Sequence, residues 1–223
     1  MCFTENQSYL NTLILILGGL YLLPNYRLSF FLFFLAIKDF IQGLIYYNIG
    51  KNQSTKFLTT LSWIHISLQP FGMNLFFSHF DKKFKYWNSI FLICILFALY
   101  NITTLKKFDI QNDGICEKTD LTHDWCSNET KSYIGKYHLG YKFSTDQYYQ
   151  YSMCFYFFLM FIPGLFTKAR ILVLLWALCV LMLILPLYYK IGTGEIAAIW
   201  CFLSIIFLLP VALFHKKLSL FIK

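Results

Sequence analysis

Long runs of apolar residues, separated by short polar connections, dominate the pattern of this 223-residue chain. A helix needs about 20 consecutive, mostly apolar residues to cross the hydrocarbon core of a bilayer, because lipid offers its backbone no hydrogen-bond partner. Seven runs approach this length, and they predict an all-α, seven-helix transmembrane bundle. The predicted spans are roughly 9–23, 28–49, 57–78, 86–103, 148–166, 171–188 and 194–214.

The composition of the chain argues against a water-soluble domain. Hydrophobic residues make up 58% of it and charged residues only 13%, far from the balance of a soluble protein. The first run lacks the basic segment and the small-residue cleavage site of a signal peptide, so we interpret it as a retained helix. We therefore predict one polytopic membrane domain over residues 1–223, with 105–146 as an extracytoplasmic loop between helices 4 and 5.

Basic residues gather on one side of the predicted bundle. The connections after helices 1, 3 and 5, together with the C-terminal tail, hold nine Lys and Arg residues against the single acid Asp81. Lys and Arg are held on the cytoplasmic side during insertion, so the N-terminus is predicted outside and the C-terminus inside. A secretory-pathway or plasma membrane is favoured, with an organelle membrane as the alternative. The basic residues are Arg27, Lys82, Lys83, Lys85, Lys168, Arg170, Lys216, Lys217 and Lys223.

Four Asn-x-Ser/Thr triplets fall on the predicted outer side, where N-glycosylation takes place. They begin at Asn6, Asn52, Asn101 and Asn128. Asn6 and Asn101 lie close to a membrane end, so Asn128 and Asn52 are the better candidate acceptors. A chain rich in Asn and Ser also produces such triplets by chance, which is the alternative interpretation.

The long outer loop contains two further features. Cys116 and Cys126 lie on the predicted outer side, where an oxidising compartment would join them as a disulfide. The segment 132–143 alternates aromatic and polar residues, which favours an interfacial collar over the outer helix ends. The sharper alternative is a lid over an outward-facing cavity, with His138 pointing into it.

Polar residues at mid-span are the best candidates for chemistry, because a charge at the bilayer centre costs about 3 kcal/mol. Asp39 and Gln42 share one face of the second helix, and His65 and Gln69 share one face of the third. Counting from the cytoplasmic ends places Gln42 level with His65, and Asp39 level with Gln69. We predict a polar seam that binds a proton, an ion or a small polar ligand. For Gln42 and Gln69, interhelical hydrogen bonding worth about 0.6 kcal/mol each is the plainer alternative.

Other residues near this seam carry structural predictions. Pro70 is predicted to bend the third helix and to free a backbone carbonyl, while Gly72 permits close helix approach. Lys38 is predicted to snorkel or to reach a different helix, since helix neighbours point about 100 degrees apart. Glu195 is predicted to cap the N-terminus of the seventh helix.

A metal site is a weaker alternative. His79, Asp81 and His215 all lie near the predicted inner face, and a membrane metallohydrolase or lipid-modifying enzyme would use such residues. The chain contains no His-x-x-x-His or Cys-x-x-Cys pair to support it. We therefore predict no cofactor. A seven-helix receptor also has this topology, but topology by itself does not define a function.

Short motifs in the first third of the chain resemble a known family. They are Met1-Cys2 with Ser8 and Thr12, Arg27, Asp39-x-x-Gln42-x-x-x-Tyr46, and Trp63 through Gln69-Pro70. The pattern is similar to an uncharacterised family of polytopic membrane proteins, of about seven spans, from giant viruses, algae and some bacteria. The family pattern on helix 2 is Gln-x-x-Glu-x-x-x-Trp, so the acid here has moved by one turn. The resemblance implies a multi-pass membrane protein and no particular activity.

These observations favour a binding, transport or sensing protein over an enzyme. A structural subunit of a membrane complex is the further alternative. The predicted partners are the lipid bilayer and a small polar ligand or ion, with a homo-oligomer or a larger membrane complex left open. No nucleic-acid partner is predicted.

Overall fold

The computed structural model describes residues 4–111, 130–135, 138–144, 149–188, 195 and 205–217. The described chain is mostly helical, as predicted. The predicted disulfide between Cys116 and Cys126, and the predicted glycosylation of Asn128, lie outside the described residues.

The helices follow the predicted apolar runs closely. The second, third and fifth runs become helices whose ends differ by only a few residues from the prediction, and residues 205–213 are helical within the seventh run. The fourth helix continues into residues 105–111, which the sequence pattern placed in the outer loop. A two-stranded antiparallel hairpin follows in the remainder of that loop, pairing Lys131 with Lys142 and Ile134 with Leu139. The elements are α1 Glu5–Tyr21, α2 Tyr26–Gly50, α3 Lys56–Phe80, α4 Trp87–Gln111, β1 Lys131–Ile134, β2 Leu139–Lys142, α5 Tyr149–Leu165 and α6 Arg170–Tyr188.

Local chemistry explains where the first helices begin and end. The hydroxyl of Thr4 accepts a hydrogen bond from the Gln7 amide at 3.3 Å, which satisfies one of the free N–H groups at the start of α1. Glu5 in the first turn adds a favourable charge near the positive end of the helix dipole. Between α2 and α3, Asn52 adopts a φ of 54°, a conformation that asparagine tolerates better than most residues.

Helix α3 lies at the centre of the packing, against α2, α4 and α5, while α2 also packs on α1. Two glycines allow the close approaches. A Cβ atom on Gly72 would lie 3.1 Å from the Phe34 ring, as expected from the predicted role of Gly72 in close helix contact. A Cβ atom on Gly43 would lie only 2.6 Å from the Tyr9 ring, so α1 and α2 meet there with no room for a side chain.

The fold has an apolar core, but it also buries polar side chains and exposes apolar ones to an extent that is unusual for a water-soluble protein. Ionisable and amide side chains are buried, including Lys38, Asp39, His65 and Asn74. Large apolar side chains face outward along α1, α4 and α6, with Leu17, Leu92, Leu96, Leu99, Leu174 and Leu178 each more than half exposed. Soluble proteins rarely expose such continuous apolar surfaces.

Two helices are long and apolar enough to cross a membrane by length and composition, namely Tyr26–Gly50 and residues Trp87–Leu105 of α4. Most of the first is buried and most of the second is exposed. A buried core helix of a soluble protein meets the same criterion, so the predicted seven spans are not established. The other helices fall short within the described residues: α1 and α5 have 17 residues each, α3 carries many polar side chains, and the apolar segment of α6 that is described with its side chains is Arg170–Cys179.

The close contact between α1 and α2 gives a test of the packing. We expect Gly43→Val to lower the free energy of unfolding by about 1–3 kcal/mol, because the new side chain must displace the Tyr9 ring. The matched control is Gly50→Val in the same helix, since no atom lies within 4 Å of a Cβ at that position. Thermal unfolding in detergent measures both variants, and equal unfolding temperatures would contradict the packing.

Candidate functional site

One face of α2 leads to the candidate site. Phe34, Lys38 and Gln42 follow one another at four-residue intervals and therefore lie along the same side of the helix. The backbone carbonyl of Phe34 contacts α3, and the side chain of Gln42 contacts the hairpin. Lys38 lies between these two contacts and is only 4% exposed.

The ammonium group of Lys38 forms an ion pair with its neighbour Asp39, with 3.3 Å between Nζ and Oδ1. Asp39 is also buried, and Asn11 of α1 approaches its carboxylate. Within the described residues, Nζ of Lys38 and Oδ2 of Asp39 have no hydrogen bond of normal geometry. A buried ion pair of this kind leaves part of the hydrogen-bonding capacity of both groups unused.

His65 on α3 faces the same region. Its Nε2 atom lies 2.8 Å from the Phe34 carbonyl oxygen, and its ring stacks on the Phe34 ring with centroids 4.0 Å apart. A carbonyl oxygen only accepts, so Nε2 carries the hydrogen and, in the neutral ring, Nδ1 is left as an acceptor. Nδ1 is buried and has no hydrogen-bond partner among the described residues. The charge of Lys38 acts on this ring.

The hairpin is held in the end of the bundle by hydrogen bonds to α2 and α3. The amide of Ser132 donates to the Thr55 hydroxyl at 3.0 Å, and the hydroxyls of Ser132 and Thr59 are 2.7 Å apart. From α2, Nε2 of Gln42 donates to the Tyr141 hydroxyl at 3.0 Å. These bonds place the hairpin one helical turn from Lys38. In the second strand of the hairpin and just after it, Leu139, Tyr141 and Phe143 are almost completely buried.

The turn of the hairpin brings His138 and Glu195 together. The backbone amide of His138 donates to Oε2 of Glu195 at 2.9 Å, and the carboxyl group also fills the space beside Gly135. Nδ1 of His138 accepts from the Leu139 amide at 2.6 Å. Burial, and next the positive charge of Lys38, lower the pKa of the His138 imidazole to about 3. The ring is therefore neutral at physiological pH.

Buried polar side chains continue along α3 away from the hairpin. Gln69 accepts a hydrogen bond from the Tyr156 hydroxyl of α5. Asn74, which is fully buried, donates at 2.8 Å both to the Pro70 carbonyl of its own helix and to the Leu159 carbonyl of α5. Helix α3 is continuous through Pro70. These contacts stabilise the packing of α3 against α5.

The opposite end of the bundle, which we call the basic end, contains Arg27, His79, Lys82 and His215. The rings of His79 and His215 meet edge to face, with centroids 5.1 Å apart. Burial, followed by the charges of His215, Lys82 and Arg27, lowers the pKa of His79 to about 4. Among the described residues, Asp81 forms no ion pair with either histidine. Oδ2 of its carboxylate accepts a hydrogen bond from the Lys168 amide at 3.2 Å. In the described part of the chain, no group of three His, Cys, Asp or Glu side chains could hold a metal ion.

All four side chains of the predicted seam are buried, but they contact different elements of the fold. His65 does face α2, but it bonds to the Phe34 carbonyl, whereas Gln42 bonds to the hairpin and Gln69 to α5. Asp39 forms an ion pair with Lys38, and the charge of Lys38 acts on the His65 ring. Gln42, predicted to lie level with His65, bonds to the hairpin, and Gln69, predicted to lie level with Asp39, bonds to α5.

Sequence reasoning missed or misassigned several members of the site. Lys38 was expected to leave the polar seam, yet it is the charged group that links Asp39 to both histidines. Glu195 was expected to cap a helix, and it accepts from the hairpin instead. A lysine at mid-span was itself the available signal, because such a residue is costly unless it is paired inside the bundle. Nothing in the sequence pattern indicated Tyr141 or Glu195 as contacts of this site.

The fold and site together define a helical bundle with buried polar groups in an apolar interior, covered at one end by a β-hairpin. The chain belongs to the family of unknown function DUF5765, which matches residues 24–219. Membership of an uncharacterised family is thus confirmed, and the match extends well beyond the first third on which the resemblance was noticed. Comparison with curated proteins and with solved structures gives no match.

The lowered pKa of His138 predicts that the hairpin loosens in acid. The unfolded imidazole titrates near 6.5 and the folded one near 3, so the unfolded state binds the proton more readily between these values. The stabilisation is therefore complete above about pH 6.5 and is lost progressively as the pH falls towards 3. Amide hydrogen exchange of the peptide 131–142, corrected for intrinsic rates, should accelerate over this range.

The control for the pH effect is His138→Asn, which keeps a short polar acceptor but removes the titrating ring. We expect this variant to lose most of the acid-dependent acceleration in the hairpin. His79 titrates in the same direction, but it lies at the basic end and does not contact the hairpin. Identical pH profiles for the wild type and the variant would contradict the assignment.

Proposed function

We propose that this chain is a multi-pass integral membrane protein with seven spans. This burial pattern supports the proposal: charged and amide side chains lie inside beside an apolar core, while leucine and isoleucine side chains cover the outside of α1, α4 and α6. In a bilayer this arrangement is favourable, because lipid solvates the apolar face and the polar groups satisfy one another inside.

The contacts between elements support the predicted alternation of the spans. Arg27 donates to the Ser78 carbonyl, and Asp81 accepts from the Lys168 amide, so the starts of α2 and α6 lie at the same end as the end of α3. The hairpin contacts with Thr59 and Gln42 lie at the other end. Basic residues collect at the first end, which is the cytoplasmic end under the rule that retains Lys and Arg inside.

We further propose that the protein binds or transports a proton, an ion or a small polar ligand at the cluster of Lys38, Asp39 and His65. One observation carries this proposal: three buried polar atoms in this cluster lack a hydrogen bond among the described residues, namely Asp39 Oδ2, His65 Nδ1 and Lys38 Nζ, the last of which has only its ion-pair contact with Asp39. Buried polar groups are nearly always hydrogen-bonded, so three orphans in one region need a water, an ion or a ligand. Ionisable groups at this depth are costly to retain without a role.

The types of orphan atom restrict the ligand. The Lys38 ammonium offers donors, whereas Asp39 Oδ2 and the neutral His65 Nδ1 offer acceptors. A water molecule or a small hydroxyl compound satisfies both kinds at once, and such a water can relay a proton. The hairpin covers the cluster on the outer side through Gln42 and Tyr141, which supports the lid rather than the interfacial collar. Entry from outside would then require the hairpin to move.

The membrane topology can be tested with two exposed connections. In a background without native cysteines, we expect Asn52→Cys to react with an impermeant maleimide from outside intact cells. We expect Lys83→Cys to react only after the cells are opened. Both side chains are exposed, so accessibility to the reagent depends only on the side of the membrane. Labelling of both positions from the same side would contradict the alternating topology.

The ligand proposal is tested by flux measurements in proteoliposomes. Asp39→Asn and His65→Ala are expected to lower proton or potassium flux about tenfold, since each removes a group worth about 1.5–3 kcal/mol to a charged partner. A pH-sensitive dye inside the vesicles follows the protons, and a potassium-sensitive dye follows the ions.

Ser67→Ala is the matched control, because Ser67 is a buried polar residue of the same helix as His65. It lies two residues away and therefore on a different face of α3. The control should leave flux unchanged, and thermal unfolding should show that all three variants are folded. If Asp39→Asn and His65→Ala both retain wild-type flux of both probes, the cluster does not carry these ligands.

A further inference from the structure

The basic end of the bundle concentrates positive charge around a single point. Arg27 comes from the start of α2, His79 from the end of α3, Lys82 from the following connection, and His215 from the helical segment near the C-terminus. The charges that act on His79 come from Arg27, Lys82 and His215, and none of them is negative. Groups from four elements of the chain thus converge on one half-buried site.

The groups at this point keep unused hydrogen-bond donors. The guanidinium of Arg27 uses Nε for the Tyr26 hydroxyl and Nη1 for the Ser78 carbonyl, which are two of its five N–H bonds. These two bonds hold the guanidinium in place while its remaining donors stay available. Lys82 is exposed, and it has no hydrogen bond or ion pair among the described residues.

The ring nitrogens of the histidines can form further hydrogen bonds. Nδ1 of His215 lies 2.9 Å from the Ala212 carbonyl, so this nitrogen carries a hydrogen and Nε2 is left for another partner. The nearest acid in the sequence, Asp81, is occupied by the Lys168 amide. The site therefore offers an oriented guanidinium, an ammonium and imidazole nitrogens to an incoming acceptor, and among the described residues none of these groups forms an ion pair with Asp81.

We propose that Arg27, His79, Lys82 and His215 form a binding site for a phosphate group. Planar guanidinium groups bind phosphate oxygens through paired N–H bonds, and a lysine adds a second positive charge. Two full charges match a phosphate monoester, which carries nearly two negative charges at neutral pH. At the cytoplasmic surface of a membrane, the phosphate of an anionic lipid is one source and soluble phosphate is the other. This site is separate from the cluster at Lys38 and does not depend on the ligand proposed there.

Binding is measured on the full chain in detergent by native mass spectrometry, with short-chain phosphatidic acid as the probe and phosphatidylcholine as the neutral comparison. Lys82→Gln is expected to lower the affinity for phosphatidic acid about tenfold, the factor that corresponds to one charge-assisted hydrogen bond. Arg27→Gln is expected to lower it further, and circular dichroism checks that this less exposed variant is folded.

Lys83→Gln is the matched control, because Lys83 is an adjacent exposed lysine that does not act on His79. It should change the affinity less than twofold. If inorganic phosphate binds with the same dependence on Lys82 and displaces the lipid, soluble phosphate is the ligand class. If inorganic phosphate does not compete with the lipid, the lipid headgroup is the ligand class. Equal losses in Lys82→Gln and Lys83→Gln, or no loss in both Lys82→Gln and Arg27→Gln, would overturn the proposal.

Discussion

The burial of the Lys38 ammonium group is the constraint on which the interior of this protein depends. A charge removed from water is tolerated only beside an opposite charge, and the structure provides Asp39 from the same helix at 3.3 Å. The neighbouring imidazoles must then remain neutral. His138 does so through a pKa of about 3, to which the lysine itself contributes. Burial and this one positive charge together keep the His138 imidazole of the hairpin neutral.

The same polar groups that form the candidate site also hold the fold together. Thr55, Thr59 and Gln42 bind the hairpin, and Gln69 and Asn74 bind α5. Because these bonds are made in an apolar interior, a polar residue left unpaired there is unusual. Most polar side chains of α2 and α3 are accounted for by such structural bonds. Among the described residues, the buried polar atoms without a hydrogen-bond partner are Oδ1 of Asn74 and the three atoms at Lys38, Asp39 and His65, and only these three lie in one region.

The two ends of the bundle carry different kinds of side chain. At one end a hairpin with a buried aromatic face closes the interior, with the Glu195 carboxylate holding its turn. At the other end Arg27, Lys82 and two histidines leave a positive surface open. The family match covers both ends, from residue 24 to residue 219. Both features thus belong to the part of the chain that defines the family.

The apolar runs by themselves determined the helices, because length and continuous hydrophobicity are local properties that need no knowledge of neighbours. They also indicated which polar residues lie at depth, and the spacing of His65 and Gln69 correctly placed both side chains inside. Partners were decided only by the tertiary structure. Gln42 meets Tyr141, which is 99 residues away, and His138 meets Glu195 across 57 residues. Such pairings depend on how helices rotate about their axes and on where a connecting loop folds back. The periodicity of a sequence shows which face of a helix is polar, but it does not show which neighbouring element that face contacts.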